Sequence, residues 1–397
     1  MASSFDKVIN RMNTDSLKWD GMKERFGPIP DDTLPMWVAD MDFLSPEPVI
    51  KALRERVEHG VFGYASDPRS VFDAVAEWME QVHGWTVDPS WIFTAPGVMP
   101  AIGMAIRALT STGDKVVIMP PVYPPFFRIV EDNERILVQV PLIEEKGYYN
   151  MDFEGLERAC RDKAVKMVLL CSPHNPVGRV WTARELDKLA EISEETETVI
   201  VSDEIHADLV HSGNRHIPYA TRSKGKKRWI TCVSPSKTFN IPGLNTSYTI
   251  IADKALWSAY EKAHKATAAS HHNVFGLAAA KAAYKHGDIW RREMLSYVEK
   301  NLEQVLAFFK VSMPWVGVTR PEGTYLVWLD LRKSGLDSEK ITELLLQKGR
   351  VALDPGHWFG SEGEGYQRLN IACPAGLLED GLRRIHSAFE DIRKEVE

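Results

Sequence analysis

Three residues with chemically useful side chains, Asn175, Asp203 and Lys237, each come shortly after an apolar run of the kind that forms buried strands. The carboxyl ends of parallel strands lie along one edge of a sheet, where ligands of open α/β folds bind. We therefore expect these side chains to meet at that edge. A lysine there can form a Schiff base with a carbonyl compound, and a carboxylate can keep a ring nitrogen protonated.

Other residues near the ends of predicted strands or the starts of predicted helices supply complementary groups. Tyr123 offers an aromatic ring that can stack on a flat cofactor. Gly97 and Val98 begin a helical pattern, and the free N–H groups of a helix start can bind a phosphate. Ser234 and Ser236 add hydroxyl donors. A Schiff-base lysine, a ring-nitrogen partner, a stacking ring and phosphate donors are together the requirements of pyridoxal phosphate.

Each of these residues also has a simpler explanation. A lysine placed like Lys237 is usually a solvated surface residue, Asp203 could cap the next helix, and Asn175 precedes a proline in a turn sequence. Tyr123 could pack among the neighbouring prolines, and Gly97 could be required only for its backbone angle. Their concentration at one sheet edge favours the functional interpretation.

Apolar runs alternate with helical patterns through the middle third of the chain, which predicts an α/β fold with a mostly parallel sheet covered on both faces. One helical pattern, Thr182–Thr196, opens with Thr182 and Glu185 spaced as a capping box. The predicted strands are Lys115–Met119, Ile136–Leu142, Val165–Cys171, Val199–Ser202, Ile230–Ser234 and Ser247–Ile251.

The C-terminal part predicts a second, smaller α/β domain. The helical region over residues 273–310 is too long for one uncapped helix, so we expect a break near Gly287. We divide the chain into an arm packed on the small domain (1–46), a large cofactor-binding domain (47–287) and the small domain (288–397). The other elements predicted in the small domain are strands at Tyr325–Leu329 and Arg368–Ala372, a helix at Ser338–Lys348 and a last helix from Leu378.

Composition excludes several classes of protein. The 397 residues are 44% hydrophobic and 26% charged, which is typical of globular proteins, and the net charge of −7 provides no basic field for nucleic acid. No apolar stretch reaches the roughly 20 residues that a membrane-spanning helix needs. Four widely spaced cysteines predict reduced thiols, with neither disulfides nor a metal site, and the first 20 residues do not resemble a secretory signal. We expect a cytoplasmic protein with no nucleic-acid or membrane partner.

Motifs along nearly the whole chain resemble those of fold-type I pyridoxal-phosphate enzymes of the class I/II aminotransferase superfamily. The segments Trp37–Phe43 and Asp203–His206 resemble, more narrowly, the MalY/PatB group of cystathionine β-lyases, also called C–S lyases. Motifs shared with the wider superfamily or the group are Lys18–Asp20, Phe62–Tyr64, Ala95–Val98, Pro121–Phe126, Asn175–Trp181, Ser234–Asn240, Gly323–Tyr325 and Arg368–Pro374.

The resemblance implies a role for each residue that matches a cofactor-binding motif. Lys237 would form the Schiff base and later shuttle a proton, Asp203 would pair with the pyridinium nitrogen, and Asn175 would pair with the phenolic oxygen. Tyr123 would stack on the ring. Candidates for holding the phosphate are Gly97, Val98, Ser234, Ser236 and, from the neighbouring subunit of a homodimer, Tyr64.

For the substrate, the resemblance implies that Arg368 binds the α-carboxylate and that Asn175 and Tyr64 contact the same ligand. Trp37 is a further candidate for the wall of this pocket.

Two positions depart from the broader aminotransferase pattern. His206, which we also place at the cofactor, stands where many relatives have a tyrosine that touches the phenolic oxygen. Asn245 stands where many relatives have a phosphate-binding arginine. Phosphate affinity is therefore expected to depend more on backbone amides, the serines and Tyr64.

The activity implied by the resemblance is α,β-elimination on L-cystathionine or related cysteine S-conjugates, which yields a thiol, pyruvate and ammonia and belongs to methionine metabolism. Two alternatives stay open at this point. An aminotransferase shares the chemistry through removal of the Cα proton, and some MalY-type proteins bind pyridoxal phosphate and modulate a transcription factor. No single residue separates the lyase from the aminotransferase.

Overall fold

The computed structural model describes residues 3–66, 68–223, 225, 227–267 and 272–390. Within this part of the chain, a seven-stranded sheet and a four-stranded sheet carry most of the strands, and two-stranded pairs complete them. Residues 1–2 of the predicted arm and 391–397 of the predicted last helix lie outside the described residues. In the described part, no helix is long and apolar enough to cross a membrane.

The secondary-structure elements follow one another with short connections through most of the chain. The strands are β1 (Leu34–Pro35), β2 (Ile92–Ala95), β3 (Lys115–Ile118), β4 (Ile136–Gln139), β5 (Ile143–Glu145), β6 (Tyr148–Asn150), β7 (Val165–Cys171), β8 (Val199–Asp203), β9 (Trp229–Val233), β10 (Ser247–Ile250), β11 (Gly317–Thr319), β12 (Leu326–Asp330), β13 (Val351–Ala352), β14 (Asp354–Pro355) and β15 (Tyr366–Asn370). The helices are α1 (Met22–Phe26), α2 (Glu47–His59), α3 (Arg69–His83), α4 (Val98–Leu109), α5 (Pro125–Glu131), α6 (Phe153–Cys160), α7 (Ala183–Thr196), α8 (Pro235–Thr238), α9 (Lys254–Ala266), α10 (Val274–His286), α11 (Asp288–Ser312), α12 (Ser338–Gln347) and α13 (Ala375–Ala388).

The seven-stranded sheet has the order β2-β10-β9-β8-β7-β3-β4, and the five strands from β9 to β4 are parallel. Strand β10 is antiparallel to both of its neighbours, β2 and β9, so the other six described strands of this sheet share one direction. This confirms a mostly parallel sheet. Because β7, β8 and β9 are parallel and adjacent, the residues that follow them lie together at one edge.

Both faces of this sheet are covered, as the uninterrupted apolar runs predict. In β7, Met167 and Leu169 pack into the hydrophobic cluster on one side, whereas Val168 and Leu170 pack into the cluster on the other. All four side chains are fully buried. This alternation follows from the two-residue period of a strand and fixes which face each residue takes.

The four-stranded sheet β11-β12-β15-β14 is antiparallel throughout. The expected helix break is confirmed, because α10 ends at His286 and α11 begins at Asp288. The strand predicted at Arg368–Ala372 is β15, which begins two residues earlier. The last helix begins at Ala375, three residues before the predicted start.

The N-terminal residues pack against the C-terminal part of the chain and share its hydrophobic core. Their strand β1 pairs in parallel with β13, and Phe5 packs against Phe43 and Tyr297 with ring centroids 5.0 and 5.5 Å away. The division into an arm and two domains, with boundaries after residues 46 and 287, stays a proposal.

Candidate active site

Lys237 lies in the four-residue helix α8, directly beyond the buried strand β9. Ser234 caps this helix, since its Oγ accepts a hydrogen bond from the Ser236 N–H at 3.1 Å. The Nζ of Lys237 donates to the carbonyl of Ala39 at 2.7 Å. Burial, together with the positive charge of Arg368, lowers the pKa of Lys237 from 10.5 to about 8. The amine is therefore neutral, and nucleophilic, at a much lower pH than an ordinary lysine.

Asp203 is the last residue of β8, and its carboxylate is buried at the edge where the parallel strands end. Its Oδ1 accepts a hydrogen bond from the Ile205 N–H at 3.1 Å. Burial raises the pKa of Asp203 from 3.8 to about 7, although the charge of Lys237 opposes the shift. A cation placed against this carboxylate would be strongly favoured, because it would offset the desolvation of the ionised form.

Tyr123 follows β3 and is partly buried at the same sheet edge. Burial, and next the negative charge of Asp203, raises the pKa of Tyr123 to about 12, so its hydroxyl stays protonated at neutral pH. The neighbouring Val122 N–H donates to the carbonyl of Phe359 at 2.9 Å. This contact ties the Tyr123 loop to the chain segment that precedes β15.

Arg368 and Asn175 are brought into direct contact, although 193 residues separate them. The Nη1 of Arg368 donates to Asn175 Oδ1 at 3.1 Å, and its Nη2 donates to the carbonyl of Trp37 at 2.7 Å and to the carboxylate of Asp354. The guanidinium is almost fully buried, and its Nε has no hydrogen-bond partner among the residues that the structure describes. A buried guanidinium with a donor unused is suited to bind a further anionic group.

The candidate phosphate ligands are adjacent through strand pairing. In β10, Ser247 pairs with Ala95 of β2 and Tyr248 pairs with Val233 of β9, so the segments after β2 and β9 lie on the same edge. Gly97 immediately precedes α4 there at φ +122°, where a residue with a Cβ is strained, and no side chain among the described residues caps the helix.

Ser234 and Ser236 already use their hydroxyls within the protein. The two Oγ atoms are 2.8 Å apart, and Ser234 Oγ donates to the Thr246 carbonyl at 2.7 Å. The α4 N-terminus is thus the more open of the two candidate phosphate donors, and the roles of Gly97, Val98 and both serines stay predictions.

His206 is buried close to both cations of the site. Burial, and next the charges of Lys237 and Arg368, lowers the pKa of His206 to about 3, so the imidazole is neutral. Within the described part of the chain its Nδ1 has no hydrogen-bond partner, and its ring centroid lies 6.2 Å from that of Tyr325. Asn245, in contrast, is exposed, and its side-chain amide donates to the nearby Gly243 carbonyl at 3.4 Å.

Two predicted site residues are placed differently from Lys237 and its neighbours. Trp37 is buried, but its indole N–H donates to the Lys18 carbonyl at 2.9 Å, so its link to the site is its own carbonyl. Tyr64 is 98% exposed in the segment after α2. No hydrogen bond within the described part of this chain joins Tyr64 to Lys237 or Asp203, and its role at a partner's phosphate stays a prediction.

Sequence reasoning missed three residues that shape the site. Asp354 pairs with Arg368 across 14 residues of chain, and Ala39 supplies the carbonyl for Lys237. Asp208, five residues after Asp203, accepts hydrogen bonds from Thr238, the residue after Lys237, and from Trp78. Of these three residues, only Ala39 lies in a motif that the sequence analysis singled out, Trp37–Phe43.

The Asp208 carboxylate supports the residue that follows Lys237. It accepts hydrogen bonds from Thr238 Oγ1 at 2.7 Å and from Trp78 Nε1 at 2.9 Å, and His83 Nε2 lies 2.8 Å away. All these groups are buried. The pKa of Asp208 is lowered despite its burial, because His83, Arg291 and Thr238 stabilise the ionised form.

Pyridoxal phosphate fits the residues gathered here. A partly buried lysine of lowered pKa, a desolvated carboxylate, and buried polar atoms of His206 and Arg368 that lack partners among the described residues are the groups that a carbonyl-bearing, cationic-ring ligand would satisfy. The lysine can condense with a carbonyl, Asp203 can stabilise a ring proton, and Arg368 can bind a carboxylate.

Comparisons with known proteins agree with this chemistry. The sequence profile described as "Aminotransferase class I and II" matches residues 33–385. The chain is 44% identical over 387 residues to cystathionine beta-lyase PatB of Bacillus subtilis (strain 168). This alignment covers 97% of this chain and 100% of the relative. The chain is 35% identical to protein MalY of Escherichia coli (strain K12), covering 98% and 99%.

A solved structure shares the whole fold. Cystalysin from Treponema denticola, whose crystal structure contains a pyridoxal 5′-phosphate cofactor, superposes with a TM-score of 0.94 at 36% identity. The match covers 98% of this chain and 100% of that chain.

Proposed function

This chain belongs to the class I and II aminotransferase family, and we propose that it is a pyridoxal-phosphate-dependent carbon–sulfur lyase that acts on L-cystathionine or related L-cysteine thioethers. The observation that carries the proposal is the 44% identity, over 97% of the chain, to a cystathionine beta-lyase, together with the partly buried Lys237 and the buried Asp203 and Arg368.

When bound, pyridoxal phosphate supplies an aldehyde that condenses with amines and a protonated ring that withdraws electrons from the substrate Cα. We assign Lys237 to hold the aldehyde and Asp203 to stabilise the proton on the ring nitrogen. Tyr123, Asn175 and the neutral His206 complete the ring contacts that we assign, while Gly97, Val98, Ser234 and Ser236 are assigned to the phosphate.

Proton transfer falls to Lys237. With the substrate held in the site, the Nζ of Lys237 would accept the proton from the substrate Cα, as its lowered pKa allows. The Cβ–S bond then breaks and the sulfur leaves with the bonding electrons as a thiolate. Hydrolysis of the remaining unsaturated amino acid gives pyruvate and ammonia.

Arg368 and Asn175 fix the orientation of the substrate. A guanidinium can bind the α-carboxylate through two parallel charge-assisted hydrogen bonds, and the unpartnered Nε of Arg368 is available for one of them. Holding the carboxylate here sets which face of the Cα meets Lys237, which is the requirement for directed proton removal.

We also assign a homodimer in which Tyr64 of each subunit reaches the phosphate of the other. The support within this chain is exposure, since Val61, Phe62 and Tyr64 are 62%, 56% and 98% exposed in one short segment. Such a cluster of exposed large apolar residues is typical of an interface. A cytoplasmic location stays a prediction.

A steady-state assay tests the proposed activity. The purified protein, loaded with pyridoxal phosphate, is expected to release pyruvate from L-cystathionine without any added 2-oxo acid. Lys237→Ala, measured beside it, should release none above background. An enzyme that transfers the amino group to 2-oxoglutarate and forms no pyruvate would be an aminotransferase, and the lyase proposal would be wrong.

A further inference from the structure

Helix α1 of the N-terminal residues covers an aromatic cluster close to Arg368. The ring of Phe26 stacks on Trp358 with centroids 5.7 Å apart and planes at 18°, and it meets the edge of Trp37 at 5.1 Å. The guanidinium of Arg25 lies over Trp358, 3.6 Å from the ring centroid. These residues form a wall of three rings with one cation above it.

The residues of this wall are linked to the substrate-carboxylate site at two points. The carbonyl of Trp37 accepts a hydrogen bond from Arg368 at 2.7 Å, and Phe359, the neighbour of Trp358, lies 5.0 Å beneath the same guanidinium. Trp37 therefore contacts Arg368 through its own carbonyl, and Trp358 is bonded to a residue, Phe359, that also contacts Arg368. A substrate held at Arg368 can extend its side chain along this wall.

Arg25 is exposed, and none of the ion pairs among the described residues involves it. Its charge nevertheless acts on a residue of the site. Burial raises the pKa of Asp354, and the charges of Arg368 and Arg25 oppose that rise. A guanidinium that stacks on an aromatic ring still directs its N–H groups outward in its own plane, where they can bind a carboxylate.

We propose that Arg25, with Phe26, Trp37 and Trp358, forms a subsite for the sulfur-linked end of the substrate and selects thioethers whose distal end carries a carboxylate. The inference rests on the proposed function. Aromatic rings make favourable contacts with sulfur and methylene groups, and a guanidinium binds a carboxylate with directed hydrogen bonds. L-Cystathionine has such a distal carboxylate, whereas S-ethyl-L-cysteine ends in an alkyl group.

The test compares these two substrates in the pyruvate assay with the holoenzyme. Arg25→Gln is expected to lower kcat/KM for L-cystathionine by roughly 10-fold or more, mainly through KM, and to leave S-ethyl-L-cysteine unchanged. Arg25→Lys should lie between wild type and Arg25→Gln. Lys23→Gln, on the same helix and paired only with the exposed Asp31, is the matched control and should change neither substrate.

Three outcomes separate the possibilities. An equal loss for both substrates would mean that Arg25 only supports the fold, and no loss for either would mean that it does not contact the distal group; both overturn the subsite. Absence of pyruvate from both substrates with the wild-type enzyme would contradict the proposed function instead. In that case, binding affinities measured by calorimetry would test the subsite. The proposal requires that Arg25→Gln weaken the binding of L-cystathionine but not that of S-ethyl-L-cysteine.

Discussion

At the residue scale, the ionisation of Lys237 sets the chemistry of the site. Because burial lowers its pKa to about 8, the rate at which the apo-protein takes up pyridoxal phosphate should rise by about tenfold per pH unit below that value and level off above it. Stopped-flow absorbance measures this rate, and borohydride should fix the cofactor to the Lys237 peptide. Levelling only near the ordinary lysine value of 10.5, or labelling at another lysine, would contradict the assignment.

Arg368 should be replaceable only at a cost to substrate binding. Arg368→Lys keeps the charge but loses the paired hydrogen bonds, each worth about 1.5–3 kcal/mol, so kcat/KM for amino-acid substrates should fall roughly 10- to 200-fold. The cofactor absorbance should not change, and decarboxylated analogues should lose little further. A variant that handles amino acids like wild type would leave Arg368 as a structural partner of Asp354.

The residues that follow strands were predictable, and the contacts between distant segments were not. Asn175, Asp203 and Lys237 all lie at the predicted sheet edge because apolar runs locate strand ends in the sequence. The pair of Arg368 with Asp354 depends on how β14 pairs with β15, which no local pattern specifies.

At the scale of elements, the Asp208 contact to Thr238 holds α8 and so places Lys237. Thr238→Val keeps the shape of the side chain but removes the hydroxyl and leaves a buried carboxylate short of one donor. We expect kcat to fall by about 10- to 100-fold with a smaller effect on KM, and the pH profile of the bound-cofactor absorbance to shift.

Thr238→Ser is the matched control for this contact, since it retains the hydroxyl and should stay close to wild type. If Thr238→Val lowered only the melting temperature and left the kinetics and absorbance profile intact, Asp208 would stabilise the fold without positioning Lys237.

The sheet itself shows which elements a sequence can specify. Strand β7 has the same bounds as predicted because its run is apolar apart from the exposed Lys166 and is otherwise buried on both faces. Strand β2 was not predicted, since its four residues form a short run between turn sequences. The antiparallel direction of β10 also has no local signal, because direction depends on the path of the connecting chain.

At the scale of the whole molecule, the proposed dimer makes each active site depend on two chains. Tyr64→Ala and Lys237→Ala homodimers should each be inactive or nearly so. Mixing them in equal amounts, with time for subunit exchange, should restore about a quarter of wild-type activity, because half the dimers become hybrids with one intact site. No recovery despite demonstrated exchange, or an active monomer by light scattering, would remove Tyr64 from the site.

The arm is the part of the whole molecule whose importance the sequence understated. It was expected to pack on the small domain and to offer the Trp37 side chain to the substrate pocket, yet it also supplies the carbonyl of Ala39 to Lys237 and the carbonyl of Trp37 to Arg368. A buried ion cluster, in which Lys18 pairs with Asp42 at 2.6 Å and Arg11 pairs with Asp40 at 2.7 Å, fixes this segment. Such contacts depend on tertiary placement and leave no periodic pattern.

The product balance from L-cystathionine tests the central claim most directly. The thiol, pyruvate and ammonia released by the purified enzyme, with no 2-oxo acid added, are quantified in one reaction mixture. Elimination catalysed by Lys237 predicts equal amounts of all three over many turnovers. A single turnover that leaves the amino group on the cofactor, with neither ammonia nor free thiol released, would contradict the account and identify a transaminase.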